Sequence, residues 1–315
     1  MTATDTSPTA LTTSVWLERK RAHEERVRPW IEPRLERQSR GEKHPVYDFL
    51  FDYYSFRPSL LRRWHPGIGV TLMGEAAREF LRWPEYRQTN DEISVQTEAL
   101  PPHRRESVRW IANLLELTRD RPAHFGCFGL HEWAMVYRQT AEEIRHNTWP
   151  LRFSAEETAR IVESQQVRCT HFDAFRFFTP PARPLNRVQP ERPIIRDLEQ
   201  RGCLHANMDL YKWTFKLAPF APGELMADCF ALAGDIREID MRASPYDFSS
   251  LGFSAIKIET AEGRAEYEQH QRRFAERAQP LREQLIEICQ RIIANFAPNL
   301  AQANGGNEGA IACET

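Results

Sequence analysis

Eleven consecutive residues, Arg168 to Phe178, read RCTHFDAFRFF and set His171, Asp173 and Arg176 among aromatic side chains. Read as a strand, the segment points successive side chains to opposite faces. His171, Asp173, Phe175 and Phe177 then share one face. An ionisable pair against aromatic surface must find partners or shift its pKa, which marks a site rather than plain core. His171 and Asp173 are candidates for general acid–base work, and Phe175 and Phe177 for stacking a planar substrate. A second candidate lies in CLHANMDLYKWTFKL. At about 100° per residue this segment is apolar over most of a helix circumference, so the helix is expected to be buried on several sides. His205, Asp209, Lys212 and Lys216 form a narrow wedge, and Asn207 falls on the other side as an interior polar group that needs partners. Asp209 joins the catalytic candidates. His205 and Asp209, four residues apart, could also share a divalent metal. The competing structural reading makes the wedge a solvent strip with ordinary Asp–Lys pairs.

The rim of such a pocket is expected from RASPYD, where Pro245 ends a helix and Tyr246 and Asp247 project from a turn beside Arg242 as substrate-binding residues. Asp228, Asp235 and Arg242 recur every seven residues along the apolar seam of that helix and read as a salt-bridge row. His131 reads as a capping or packing residue at a helix start. Glu143 and His146 match one E-x-x-H element of di-iron bundles, which need a second copy. Pro66-Gly67-Ile68-Gly69 matches a phosphate-gripping hairpin but continues into a strand pattern. Phosphate-loop, nucleophile-elbow and zinc signatures are absent from the sequence.

The elements that must position these residues are mostly helical. Helices are expected from about Ser14 to Arg40 (bent near Pro29 and Pro33), in two short pieces within 47–63, and over 101–121 and 130–146. Further helices are expected from the S-x-x-E capping box at Ser154, over 204–217 and 222–241, and over 262–296 with an interruption or kink at Pro280. Strand signals are confined to 70–72, 167–178 and 255–258. Pro-rich residues 180–193 read as an ordered loop over the site. The fold class is therefore mainly α: a compact multi-helix domain over residues 14–297 with at most a small β-sheet. Disordered tails are expected over residues 1–13 and 298–315.

Composition narrows the function. A net charge of −2 disfavours tight binding to undamaged duplex DNA. Six cysteines without C-x-x-C spacing read as buried, reduced thiols in a cytoplasmic protein. No apolar run reaches the ~20 residues of a membrane span, and membrane partners are not expected. The oligomeric state is not legible.

The segments HPVYDFLFDYYSFRP, GLHEWAMVYR, RCTHFDAFRFFTP, CLHANMDLYKW and DIREIDMRASPYD resemble a family of bacterial proteins commonly labelled 3-methyladenine DNA glycosylase. The resemblance runs from about residue 44 to 279. It implies a shared fold and, by its label, base excision; it assigns no catalytic residues. Three functions follow. The first is an enzyme acting on a small planar or nucleobase-like substrate by carboxylate/His acid–base chemistry, with a possible divalent metal. The second is a base-excision glycosylase, a hydrolase in which a flipped base stacks on the same aromatics. The third is a non-catalytic binding protein.

Overall fold

The computed structural model describes residues 9–140, 142–144 and 149–296. The chain is mainly helical with one small sheet. Helix α1 (Thr13–Ser39) runs through both Pro29 and Pro33, and α2 (Phe49–Tyr54) and α3 (Pro58–Arg62) follow it. Strands β1 (Thr9–Leu11), β2 (Val70–Met73), β3 (Tyr86–Thr89) and β4 (Glu92–Val95) make a sheet in the order β1-β2-β4-β3. The β1–β2 pair is parallel; the other two are antiparallel. Thus residues 9–13 of the expected N-terminal tail are ordered, because β1 pairs with β2 and hands the chain directly to α1. Residues 1–8 and the expected C-terminal tail lie outside the described residues.

The remaining helices are α4 (Pro102–Asp120), α5 (Leu130–Ala134), α6 (Ala155–Ser164), α7 (Phe172–Phe175), α8 (Ile195–Leu198), α9 (Leu204–Leu217), α10 (Gly223–Arg242) and α11 (Ala261–Ala294). The capping box at Ser154 and Glu157 is formed in full and starts α6. Helix α9 packs against α10 and α11, and α11 also packs against α4. This explains why α9 is buried nearly all round, from Leu204 to Tyr211 without a break. α11 continues through Pro280 as one helix, so of the expected interruption or kink the interruption does not occur.

Three expectations need correction. Residues 167–178 do not form a strand: His171 is extended at an N-cap position, and FDAF makes one helical turn. The extended part, residues 168–171, is held instead by Asn186, whose side chain bonds both the N–H and the carbonyl of Cys169 (2.7 and 2.9 Å). Residues 255–258 are irregular, and the helix expected over 130–146 closes at Ala134. Among the described residues no helix is long and apolar enough to cross a membrane.

Candidate functional site

Six helices and two connecting segments bring a continuous row of ionisable groups into the core. At one end is Asp240 of α10, fully buried. It accepts from His131 Nε2 of α5 (3.0 Å) and from the Tyr267 hydroxyl of α11 (3.1 Å). Arg237, one turn before Asp240, donates to buried Glu132 (2.9 Å). The His131 ring stands edge-on to His205 of α9, with centroids 4.6 Å apart, and His205 stacks on His171 at 5.2 Å. Three imidazoles therefore form a file through the interior.

At the other end, His171 Nδ1 is 3.2 Å from Glu199 Oε1, and Nε2 is 3.8 Å from Asp209 Oδ2. These are ion-pair distances without hydrogen-bond alignment, and both ring nitrogens are sealed from solvent. Asp209 is tied by the Tyr54 hydroxyl (2.8 Å) and by Lys212, which also reaches Asp173 at 3.6 Å. Asp173 is half-buried and meets Arg176 at 3.5 Å. The row therefore ends with its carboxylates already paired to cations.

The three rings are electrostatically unequal. Burial alone would lower the pKa of His131, but the Asp240 carboxylate outweighs burial and holds it above the usual value. The same contest at His171 is won by Glu199 and then Asp209. His205 has no such carboxylate partner; burial, then His131 and His171 on either side, push it well below the usual value, so it is neutral. No hydrogen bond to its ring is found among the described residues, and it faces a small cavity of about 10 Å³. That cavity is also lined by His131, Gln200, Arg168 and three cysteines: Cys127, Cys169 and Cys203. Burial pushes the Cys127 thiol up to about 11, Cys169 to about 12, and Cys203 well above its ordinary value. All three are neutral thiols.

Among the described residues, two sets of side chains could hold a metal ion. His131, His205 and Asp240 each offer one ligand atom, all within 4.8 Å of one another, and all three are buried; His171, Asp173 and Asp209 form a second set by the same measure. In both sets a cation already meets the carboxylate, Lys212 at Asp209 and Arg237 at 4.0 Å from Asp240, and His131 Nε2 is engaged by Asp240. What sets the first apart is His205, to whose ring no hydrogen bond is found among the described residues.

The sequence-derived residues distribute as follows. His171, Asp173 and Asp209 are brought together. His205 and Asp209 fall in different three-residue sets, His205 with His131 and Asp240 and Asp209 with His171 and Asp173. Of the wedge that held them, His205 and Asp209 are buried, Lys212 is half-buried and Lys216 is exposed, so only its last turn meets solvent. Asn207 faces α11, where it accepts from Arg282 (2.6 Å) and donates to the Arg201 carbonyl (3.1 Å); it is a clamp on a buried arginine. Phe175 packs on Phe178 (5.1 Å), and the Arg176 guanidinium stands over the Phe177 ring (4.6 Å). The helical turn at α7 removes the strand alternation on which their shared face with His171 and Asp173 was expected.

Arg242 bonds Ser254 (2.9 Å), Tyr246 packs in a smaller apolar cluster with Val46, Val136 and Phe248, and Asp247 accepts from the Ser249 N–H (2.9 Å). Asp228 and Asp235 form surface pairs with Arg26 and Arg277 (2.6 and 2.7 Å), as the seam reading expected. His146 lies outside the described residues. Sequence reasoning missed His131 as a site residue, and with it Asp240, Glu199 and Tyr54. Asp240 had a usable signal: it interrupts the apolar arc of α10 beside Ile239 and Met241. Glu199 sits in a connector with no periodic signal at all. No protein-family model, curated protein or solved structure matches the chain.

Proposed function

We propose that this protein is an enzyme acting on a small molecule, with one divalent metal ion on His131, His205 and Asp240. The observation that carries the reading is His205. Its ring is neutral, buried and without a hydrogen-bond partner among the described residues, and it stands within 4.8 Å of two further ligand atoms. A neutral imidazole with a free lone pair is what a divalent first-row metal takes. Two imidazoles and one carboxylate also leave coordination positions open for water or substrate. The adjoining cavity of about 10 Å³ has room for roughly one water. An ion there would act as a Lewis acid and lower the pKa of that water, which fits hydrolysis of a small substrate. Tyr267 and Arg237 behind Asp240 supply the outer partners that orient a ligating carboxylate. The five described cysteines are all free, which supports a reducing, cytoplasmic setting.

Metal analysis of the purified protein, before and after dialysis against Mn2+, Zn2+ or Co2+, tests the proposal. About one equivalent should be retained by the wild type and lost in His205→Ala. Failure of the wild type to retain any of the three ions would refute it.

A further inference from the structure

A second concavity lies beside the first. It measures about 310 Å³ and is lined by His124, Gly126, Phe128, Gln165, Gln166 and Arg168. Arg168 also lines the inner cavity that His131 and His205 border. The size is at the lower end of small-molecule sites, roughly 300–1,000 Å³. We infer that this cleft binds a small planar carboxylate, its anion on Arg168 and its flat face against Phe128.

Arg168 supplies the charge. Many arginines here hold a carboxylate, as Arg34 and Arg37 hold Asp48, and Arg237 holds Glu132. Arg168 is exposed, and no hydrogen bond or ion pair to it is found among the described residues. A guanidinium presents a planar fork that matches a carboxylate in two parallel hydrogen bonds. Phe128 supplies the face. It is half-buried, and its backbone sits in the left-handed region at φ 45°, followed by Gly129 at φ 70°. A non-glycine residue held there costs about 1–3 kcal/mol and persists where surrounding structure fixes it. Gln165 and Gln166 add amide donors and acceptors at the edge.

The wall between the two cavities is tied rather than loose. Gln200, which lines the inner cavity, accepts from the His124 N–H (2.8 Å) and from the Gly202 N–H (2.7 Å), and donates to the His124 carbonyl (3.3 Å). A Cβ on Gly202 would stand 2.6 Å from that carbonyl, so the two segments meet backbone to backbone. The cleft thus holds a ligand at the door of the metal set. What becomes of the ligand rests on the enzyme reading above; its binding does not.

The test is isothermal titration of the full chain with benzoate, acetate and benzylamine, with and without prior metal removal by EDTA. Benzoate should bind more tightly than acetate, and benzylamine should not bind. Arg168→Gln should weaken benzoate at least tenfold while leaving the far-ultraviolet circular dichroism unchanged. That pattern should persist in the metal-free protein. Equal benzoate affinity in Arg168→Gln, or binding of benzylamine as well as benzoate, overturns the inference. Benzoate binding that is abolished by EDTA and indifferent to Arg168 also overturns it, because the anion then sits on the metal and only the enzyme reading survives. Conversely, Arg168-dependent binding in a protein that retains no metal supports the cleft and refutes the metal centre.

Discussion

Replacing Asp240 with Asn keeps the side chain's shape and removes its charge from a fully buried position. Asp240 accepts from His131 and Tyr267 and lies 4.0 Å from Arg237. Its pKa is opposed by burial yet held below the usual carboxylate range by His131. Removing one partner of a buried charged pair costs about 3–5 kcal/mol, because the other charge is left uncompensated. Asp240→Asn should therefore lose about that much stability without metal. The metal-dependent part is separable. At a free ion concentration of 100 Kd the wild type should gain about 2.7 kcal/mol. Loss of a ligand or its orienting partner weakens metal binding by at least 10–100-fold, so at the same concentration the variant should gain only about 0.4–1.4 kcal/mol. Urea unfolding followed by circular dichroism, with and without Zn2+, measures both quantities. Asp228→Asn is the control: its pair with Arg26 is exposed, so it should cost less than about 1 kcal/mol and keep the full metal increment. The reasoning fails if Asp240→Asn also keeps the full increment, or if it destabilises no more than Asp228→Asn.

Two further outcomes follow from the same electrostatics. His65 is buried beside Tyr86 (2.9 Å), and burial lowers its pKa to about 3. The unfolded chain takes up this proton as the pH falls through about 6.5, while the folded chain does not until about 3. The stability contributed by neutral His65 is thus present in full above pH 6.5 and lost progressively from there toward pH 3, at up to about 1.4 kcal/mol per unit. His65→Gln should flatten the dependence of the urea midpoint on pH in that window; an unchanged slope would contradict the assignment. Lys212→Met should cost about 3–5 kcal/mol by leaving buried Asp209 without its cation, and Lys212→Arg should restore part of the loss. A near-neutral Lys212→Met would contradict this pairing.

Helix periodicity located α1, α4, α9, α10 and α11 because each buries an apolar stripe against a neighbour, and such stripes are written locally. The sheet was harder. β3 and β4 are four residues each, mostly polar outward, and joined at Asn90, whose positive φ of 56° makes the tight turn. The segment at His171 misled because alternating polar and aromatic residues read as a strand. Its conformation is decided by Asn186, fifteen residues downstream, which occupies the Cys169 backbone groups that a strand partner would need. The same limit governs the site. His171, His205 and Asp209 were visible as polar residues inside apolar patterns. Their partners His131, Glu199 and Asp240 come from a short helix, a connector and the far face of α10, and only packing brings them together.

Titration of the metal-free protein with Co2+, followed by visible absorption, tests the central claim most directly. The account expects one ion per chain, with ligand-field bands of nitrogen and oxygen donors. It expects no intense thiolate charge-transfer band, despite Cys127, Cys169 and Cys203 lining the same cavity. The spectrum should vanish in His205→Ala and persist in Asp209→Asn. A silent titration contradicts the account, as does a spectrum that survives His205→Ala and disappears in Asp209→Asn.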